Sequence, residues 1–234
     1  MFSDKNRLTA VGRLPCVSLL LAGIAVCLQF SLAALGRLQY DPAAIAGGEV
    51  WRIVTCHLTH WSFDHLFWDA TALIILGVLC ETSGRRRFLG CIAASAVLIP
   101  LFIWMLMPEV DAYRGLSGID SALFVLLATT MLRENLAAAR FGWVAGVGIV
   151  LCAFSAKIGF EYLTGQTVFV DSAAANMVPI PLAHVIGAAV GLAVGLIRNQ
   201  RAGNQITAAA KMSKKHHAID TAESQRVTIV TPRA

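Results

Sequence analysis

Of the 234 residues, 57% are hydrophobic and only 14% charged, with a mean hydropathy of +0.67, whereas soluble domains run at roughly 45–50% apolar and about 25% charged. That balance excludes an ordinary water-soluble domain, whose core could not hide so much apolar surface, and makes lipid the solvent of the chain. The formal charge of +5 raises nucleic acid as a partner, but the basic residues sit at the ends of apolar runs, where they set membrane topology; no nucleic-acid binding is expected.

A membrane span needs about 20 mostly apolar residues. Six stretches qualify in chain order, over residues 14–35, 63–80, 88–107, 116–132, 141–160 and 179–197. The second and fourth are short and carry polar residues near their starts. The first reads as a retained helix rather than a cleaved leader. The basic residues then divide unevenly. Lys5, Arg7, Arg13, the run Arg85-Arg86-Arg87, Arg133, Arg140 and the seven basic residues from Arg198 to Arg233 fall on one side. Arg37, Arg52, Arg114 and Lys157 fall on the other. Cytoplasmic loops carry the excess of Lys and Arg, so both termini are expected inside, a parity that suits six spans. Residues 1–13 form a cytoplasmic N-terminus and 14–197 the membrane domain. Residues 198–234, polar and basic, read as a disordered cytoplasmic tail. The six cysteines are scattered without a CxxC pair and read as small apolar residues.

With this topology, the second, fourth and sixth helices all enter from the outer face. Their polar residues therefore meet in one leaflet, where ionisable side chains are costly and mark a site. The second helix brings Asp64, His65 and Asp69; the fourth begins at Gly115-Leu116-Ser117-Gly118; the sixth carries His184 after Pro179-Ile180-Pro181. A serine in a helix is more often a packing residue. Here Gly115 and Gly118 permit a tight turn at the start of a helix, where unpaired N–H groups can face an anion, as acyl transfer requires. Gly187, Gly191 and Gly195 lie at offsets of 3, 7 and 11 from His184 and share its helix face, a seam on which another helix can approach closely. Upstream, Trp51-Arg52 suits a headgroup position with the guanidinium on phosphate, and His57, His60 and His65 follow. His65 and Asp69 are one turn apart.

The stretch from Trp51-Arg52 through His60 and His65 to Glu81, the Gly115-Leu116-Ser117-Gly118 motif, and Ala183-His184-Val185-Ile186-Gly187 with Gly191 together resemble the rhomboid family over residues 14–197. The resemblance implies an all-α, six-helix membrane bundle and an intramembrane serine endopeptidase. Ser117 would be its nucleophile and His184 its base, a dyad without a third acid. Oxyanion donors would be the backbone around Ser117 and the side chain of His65, with His60, Gly115 and Gly118 in support and Gly187 and Gly191 packing helices. Substrates would be transmembrane or membrane-anchored proteins, met from the outer side of a bacterial inner membrane, and neither cofactor nor metal is implied. The stretch Tyr113 to Asp120 resembles the rhombosortase branch, associated with C-terminal GlyGly-containing anchors of exported proteins. Asp69 stands where the family usually has asparagine. It either donates as a neutral acid or stays charged and orients His65; the one-turn spacing favours the latter.

Three other readings compete. His57, His60 and His65 with Asp64 or Asp69 could ligate a metal or haem, although no HExxH or Cys–His pattern is present. An inactive rhomboid-like binding or chaperone module would lack the serine or histidine that this chain has. A transporter would show an inverted repeat, and none is visible. Asp120 and Ser121 are expected to hydrogen-bond locally. Lys157 and Glu161, four apart, are expected to pair without a functional role.

Overall fold

The structure is a computed structural model, and it describes residues 14–175 and 177–197. The expectations for residues 1–13 and for the tail 198–234 lie outside the described residues. Every element below lies within one compact unit that ends at Leu196.

The fold is helical, and among the described residues the only strand-like pairing is a single bridge between Tyr40 and Tyr113. The apolar run expected as one helix over 14–35 forms two, α1 (Cys16–Gln29) and α2 (Leu32–Leu38), bent by 119°. Ser31 causes the bend. It is extended, and its hydroxyl accepts the Ala34 N–H at 3.3 Å, so a new helix starts in a new direction. The first turn of α1 has no cap of its own. Glu81 supplies one, accepting from the Val17 N–H (3.3 Å), the Ser18 N–H (3.1 Å) and the Ser18 hydroxyl (2.9 Å).

Residues 39–62 fold into a compact loop holding α3 (Pro42–Ala46), α4 (Arg52–Thr55) and a 3₁₀ turn (Cys56–Leu58). Arg52 corrects an expectation here. Its guanidinium is buried rather than laid on lipid phosphate, donating to Gly36 O (2.9 Å) and Gln39 O (3.1 Å) and pairing with Glu49 at 2.6 Å. The orphan carbonyls at the end of α2 recruit it.

The second and third expected spans join as α5 (Phe63–Leu106), broken at Gly84, whose backbone (φ −170°, ψ 76°) leaves the helical region. Asp69 in the first arm hydrogen-bonds Leu116, and Ile99 in the second packs on Gly118. In a straight helix those two residues would lie about 45 Å apart. Their meeting at one short segment means that the arms turn back on each other at Gly84.

Three helices follow: α6 (Ser117–Ala137), α7 (Phe141–Thr164) and α8 (Pro181–Leu196). The first is the centre of the bundle, with Ala122 and Leu123 fully buried. α8 lies against it backbone to backbone. A Cβ on Gly187 would strike Gly118 O, one on Gly191 would strike Ala122 O, and one on Gly195 would come within 2.9 Å of the Thr129 side chain. Arg133 closes the far end by donating to Gly195 O at 2.7 Å.

By length and composition α5 and α7 can each cross a bilayer, and the bent pair α1–α2 counts as a third only if it is one broken span; α8, at 16 residues, is a shorter apolar helix. On α7 only Val147 and Glu161 are buried, while Phe141, Trp143, Ile149 and Leu163 are exposed. Such a helix is stable only in hydrocarbon. The chain is a multi-pass membrane protein.

Candidate active site

Ser117 is the first residue of α6. Gly115 just before it has φ +121°, a left-handed value that L side chains rarely adopt, and a Cβ there would lie 2.8 Å from the His65 ring. The chain therefore turns sharply against His65 and leaves the first N–H groups of α6 without helical partners. One oxygen takes two of them: Asp69 Oδ2 accepts from the Leu116 N–H at 2.8 Å and the Ser117 N–H at 3.1 Å.

The same oxygen lies 3.2 Å from His65 Nε2 and 3.3 Å from His60 Nε2. The Trp61 N–H points at His65 Nδ1 across 3.5 Å. That contact leaves the proton of a neutral His65 ring on Nε2, facing Asp69. His60 is fully buried, its ring edge-on to His65 with centroids 5.1 Å apart, and its approach to Asp69 is close without being a well-directed hydrogen bond. Burial holds the His60 imidazole below its ordinary range, with Asp69 pulling the other way. Four nitrogens from three segments thus converge on one carboxylate oxygen. Neither sequence alternative for Asp69 included its capture of two backbone N–H groups.

His57 belongs to a different construction. Its Nδ1 is 3.3 Å from Gly115 O and its Nε2 is 3.2 Å from Ala96 O, tying the loop to the second arm of α5 and to the turn before Ser117. Burial pushes this imidazole down to about 4. His57 therefore does not join His60 and His65, and no group of three His, Cys, Asp or Glu with metal-binding geometry occurs among the described residues.

His184 sits in the first turn of α8, buried, one turn before Gly187. Since Gly187 meets Gly118, the glycine seam brings the start of α8 against the start of α6. Ser117, His184, His65 and Asp69 all line one cavity of about 530 Å³, with Asp120 and Glu161. The cavity wall is otherwise mostly apolar, the usual make-up of a small-molecule or peptide site. Ser121 bonds locally, donating to Ser117 O at 2.8 Å, as expected. Asp120 does not: both carboxyl oxygens are buried without a hydrogen-bond partner.

Glu161 is the residue that sequence reasoning passed over. It pairs with Lys157 (2.7 Å), as its spacing suggested, but its other oxygen, Oε2, lies 2.9 Å from His184 Nδ1. The resemblance implied a dyad without a third acid; an acid stands beside this histidine. The available signal was an ionisable pair within an apolar helix, which marks a site more often than a packing choice.

Two comparisons bear on this arrangement. The Rhomboid domain family matches residues 47–201, more than half of the chain and the stretch that contains every residue of the cavity named above. A protein of Bacillus subtilis (strain 168) named "Putative rhomboid protease YdcA" is 28% identical over 165 residues, covering 67% of this chain and 81% of the relative. A serine and a histidine on facing helices of a multi-pass bundle, within a domain matched over that length, leave one assignment: this chain belongs to the rhomboid family.

Proposed function

We propose that the protein is an intramembrane serine endopeptidase with Ser117 as nucleophile and His184 as general base. Rhomboid family members are serine intramembrane proteases acting on membrane proteins in the bilayer, and the B. subtilis relative is named a protease. The observation that carries the reading is one cavity lined by both residues, with the N–H groups of Leu116 and Ser117 converging on a single oxygen beside them.

The chemistry follows from the residues. A substrate helix unwinds locally to free its scissile carbonyl, which small, helix-destabilising residues make easier. Ser117 attacks the carbonyl carbon while His184 takes its proton; the C–N bond then breaks as His184 protonates the leaving amine. Water hydrolyses the acyl-enzyme by the same route. The oxyanion needs the donors that Asp69 now occupies. An Asp69 oxygen is an internal stand-in for it, so the pocket is preformed, and the carboxylate must leave the Leu116 and Ser117 N–H groups as substrate enters. A carboxylate that stayed in place would repel the oxyanion. That geometry is also the observation favouring a non-catalytic rhomboid-like module, and the same experiment separates the two.

The topology that fits is six spans with both termini cytoplasmic and the cavity toward the outer face of a bacterial inner membrane. The basic residues at Arg85–Arg87, Arg133 and Arg140 support it. The Tyr113–Asp120 stretch supports the rhombosortase branch, and with it substrates carrying C-terminal GlyGly-containing anchors. The test is cleavage in proteoliposomes of single-span substrates with and without such an anchor. Cleavage abolished in Ser117→Ala and His184→Ala, with preference for the GlyGly substrate, is the expected result. Cleavage retained in either variant would overturn the pair, and absence of cleavage in wild type would favour the non-catalytic reading.

A further inference from the structure

The helix α7 buries only two of its residues, and one of them is an acid. Glu161 is 2% exposed, on a helix whose neighbouring side chains Phe160, Tyr162 and Leu163 face outward. A carboxylate buried there is expensive and persists only when each oxygen has a partner. One has Lys157 Nζ at 2.7 Å, a turn away on the same helix, which neutralises the charge. The other, Oε2, has His184 Nδ1 at 2.9 Å.

Both of those atoms are fully buried, and neither has any other hydrogen-bond partner. The contact meets the distance of a hydrogen bond but not its direction, and a small rotation of the ring would align it; hydrogen bonds of catalytic groups commonly tighten only when substrate is bound. Left unpaired, each atom would carry the full penalty of a buried polar group. The pair is therefore selective about the imidazole: Nδ1 must carry the proton, which leaves Nε2 as the basic nitrogen on the opposite edge of the ring.

We propose that Glu161, held in place by Lys157, is a positioning residue for His184, fixing its tautomer and orientation and stabilising the imidazolium formed when the ring takes a proton. The inference rests on the reading of Ser117 and His184 as the hydrolytic pair and adds a third group to it. No proton needs to pass to Glu161: the ring gains one at Nε2 from the serine and returns it to the leaving amine, while Nδ1–H stays with the carboxylate.

The test compares wild type, Glu161→Ala, Glu161→Gln and Glu161→Asp in proteoliposomes, with cleavage kinetics, apparent melting temperature and ¹⁵N-histidine NMR of the full chain. Glu161→Ala and Glu161→Gln should lower kcat by about 10²–10⁴-fold with KM changed less than about threefold, and Glu161→Asp should recover at least about tenfold of the loss. In the NMR spectra, His184 should be protonated at Nδ1 in wild type and a mixture of tautomers in Glu161→Ala. A kcat within about twofold of wild type in Glu161→Ala, or Glu161→Asp no better than Glu161→Ala, would overturn the proposal. The tautomer needs no turnover, so it decides the question even for a wild type that cleaves nothing. In that case a His184 tautomer indifferent to Glu161 overturns the positioning role, and a dependent one leaves it standing while the hydrolytic reading fails.

Discussion

The carboxylate of Asp69 and the backbone N–H of Leu116 are 47 positions apart in the chain and 2.8 Å apart in space. Through this bond the first arm of α5 holds the turn that presents Ser117, and the same oxygen reaches the Ser117 N–H and faces two imidazoles. Asp69 is thus a fold determinant as well as a neighbour of the proposed nucleophile.

Replacing it separates those roles. Asp69→Ala leaves the Leu116 and Ser117 N–H groups without their acceptor and the buried His60 and His65 rings without their neighbouring carboxylate, a loss of about 3–5 kcal/mol for a broken network. Asp69→Asn keeps a carbonyl oxygen for the N–H groups and should recover most of that loss. The apparent melting temperature in detergent checks the order wild type, then Asn, then Ala. A cleavage rate unchanged in Asp69→Ala would remove Asp69 from the site altogether.

The glycines of α8 make a graded prediction. A methyl group at Gly187 or Gly191 meets backbone carbonyls of α6, which cannot yield without separating the helices, whereas at Gly195 it meets the Thr129 side chain. Gly187→Ala and Gly191→Ala should each cost about 1–3 kcal/mol, the usual penalty of overpacking, and Gly195→Ala less. Gly146→Ala on α7 has open space around it and should be neutral or slightly stabilising, by up to about 1 kcal/mol. Equal effects at all four sites would contradict the close α6–α8 contact.

His57 gives the fold an acid limit. Its folded value of about 4 lies below that of an exposed imidazole, about 6.5. Between those values the unfolded chain binds more protons than the folded one, so stability rises with pH. The contribution is fully present above about pH 6.5 and falls away toward pH 4, by about 3 kcal/mol in all. The melting temperature of wild type minus that of His57→Gln, followed from pH 7.5 to 4, should shrink across that window; a difference flat with pH would assign acid sensitivity to other groups.

Glu81 ties the first helix to the bundle through three hydrogen bonds to Val17 and Ser18. Glu81→Ala removes them all from a buried position and should lower stability by about 2–3 kcal/mol. Glu81→Gln, which still offers an oxygen, should lose less. Limited proteolysis near residues 14–18 reports the release of α1, and unchanged protection in Glu81→Ala would contradict the cap.

Much of this was legible in the residues because hydropathy and glycine spacing are local signals. The apolar runs marked the helices, and the offsets of Gly187, Gly191 and Gly195 marked the face that meets α6. What was not legible depended on contacts distant in sequence. Ser31 splits the first helix because its hydroxyl caps Ala34, a choice that hydropathy does not register. Arg52 turned inward because the end of α2 offers it carbonyls. Glu161 looked like half of an i,i+4 pair, and only the approach of α8 reveals its second partner. Asp69 could be placed beside His65 by spacing, but its hold on Leu116 and Ser117 needed the turn at Gly115.

The central claim is that Ser117 is an activated nucleophile, and a fluorophosphonate reagent tests it most directly. Wild type and the variants Ser117→Ala and His184→Ala would be labelled in proteoliposomes, and the modified residue mapped by mass spectrometry. A single adduct on Ser117, absent from both variants, is the expected result. Folded wild-type protein that takes no label, or a His184→Ala variant that labels as fast as wild type, would contradict the account.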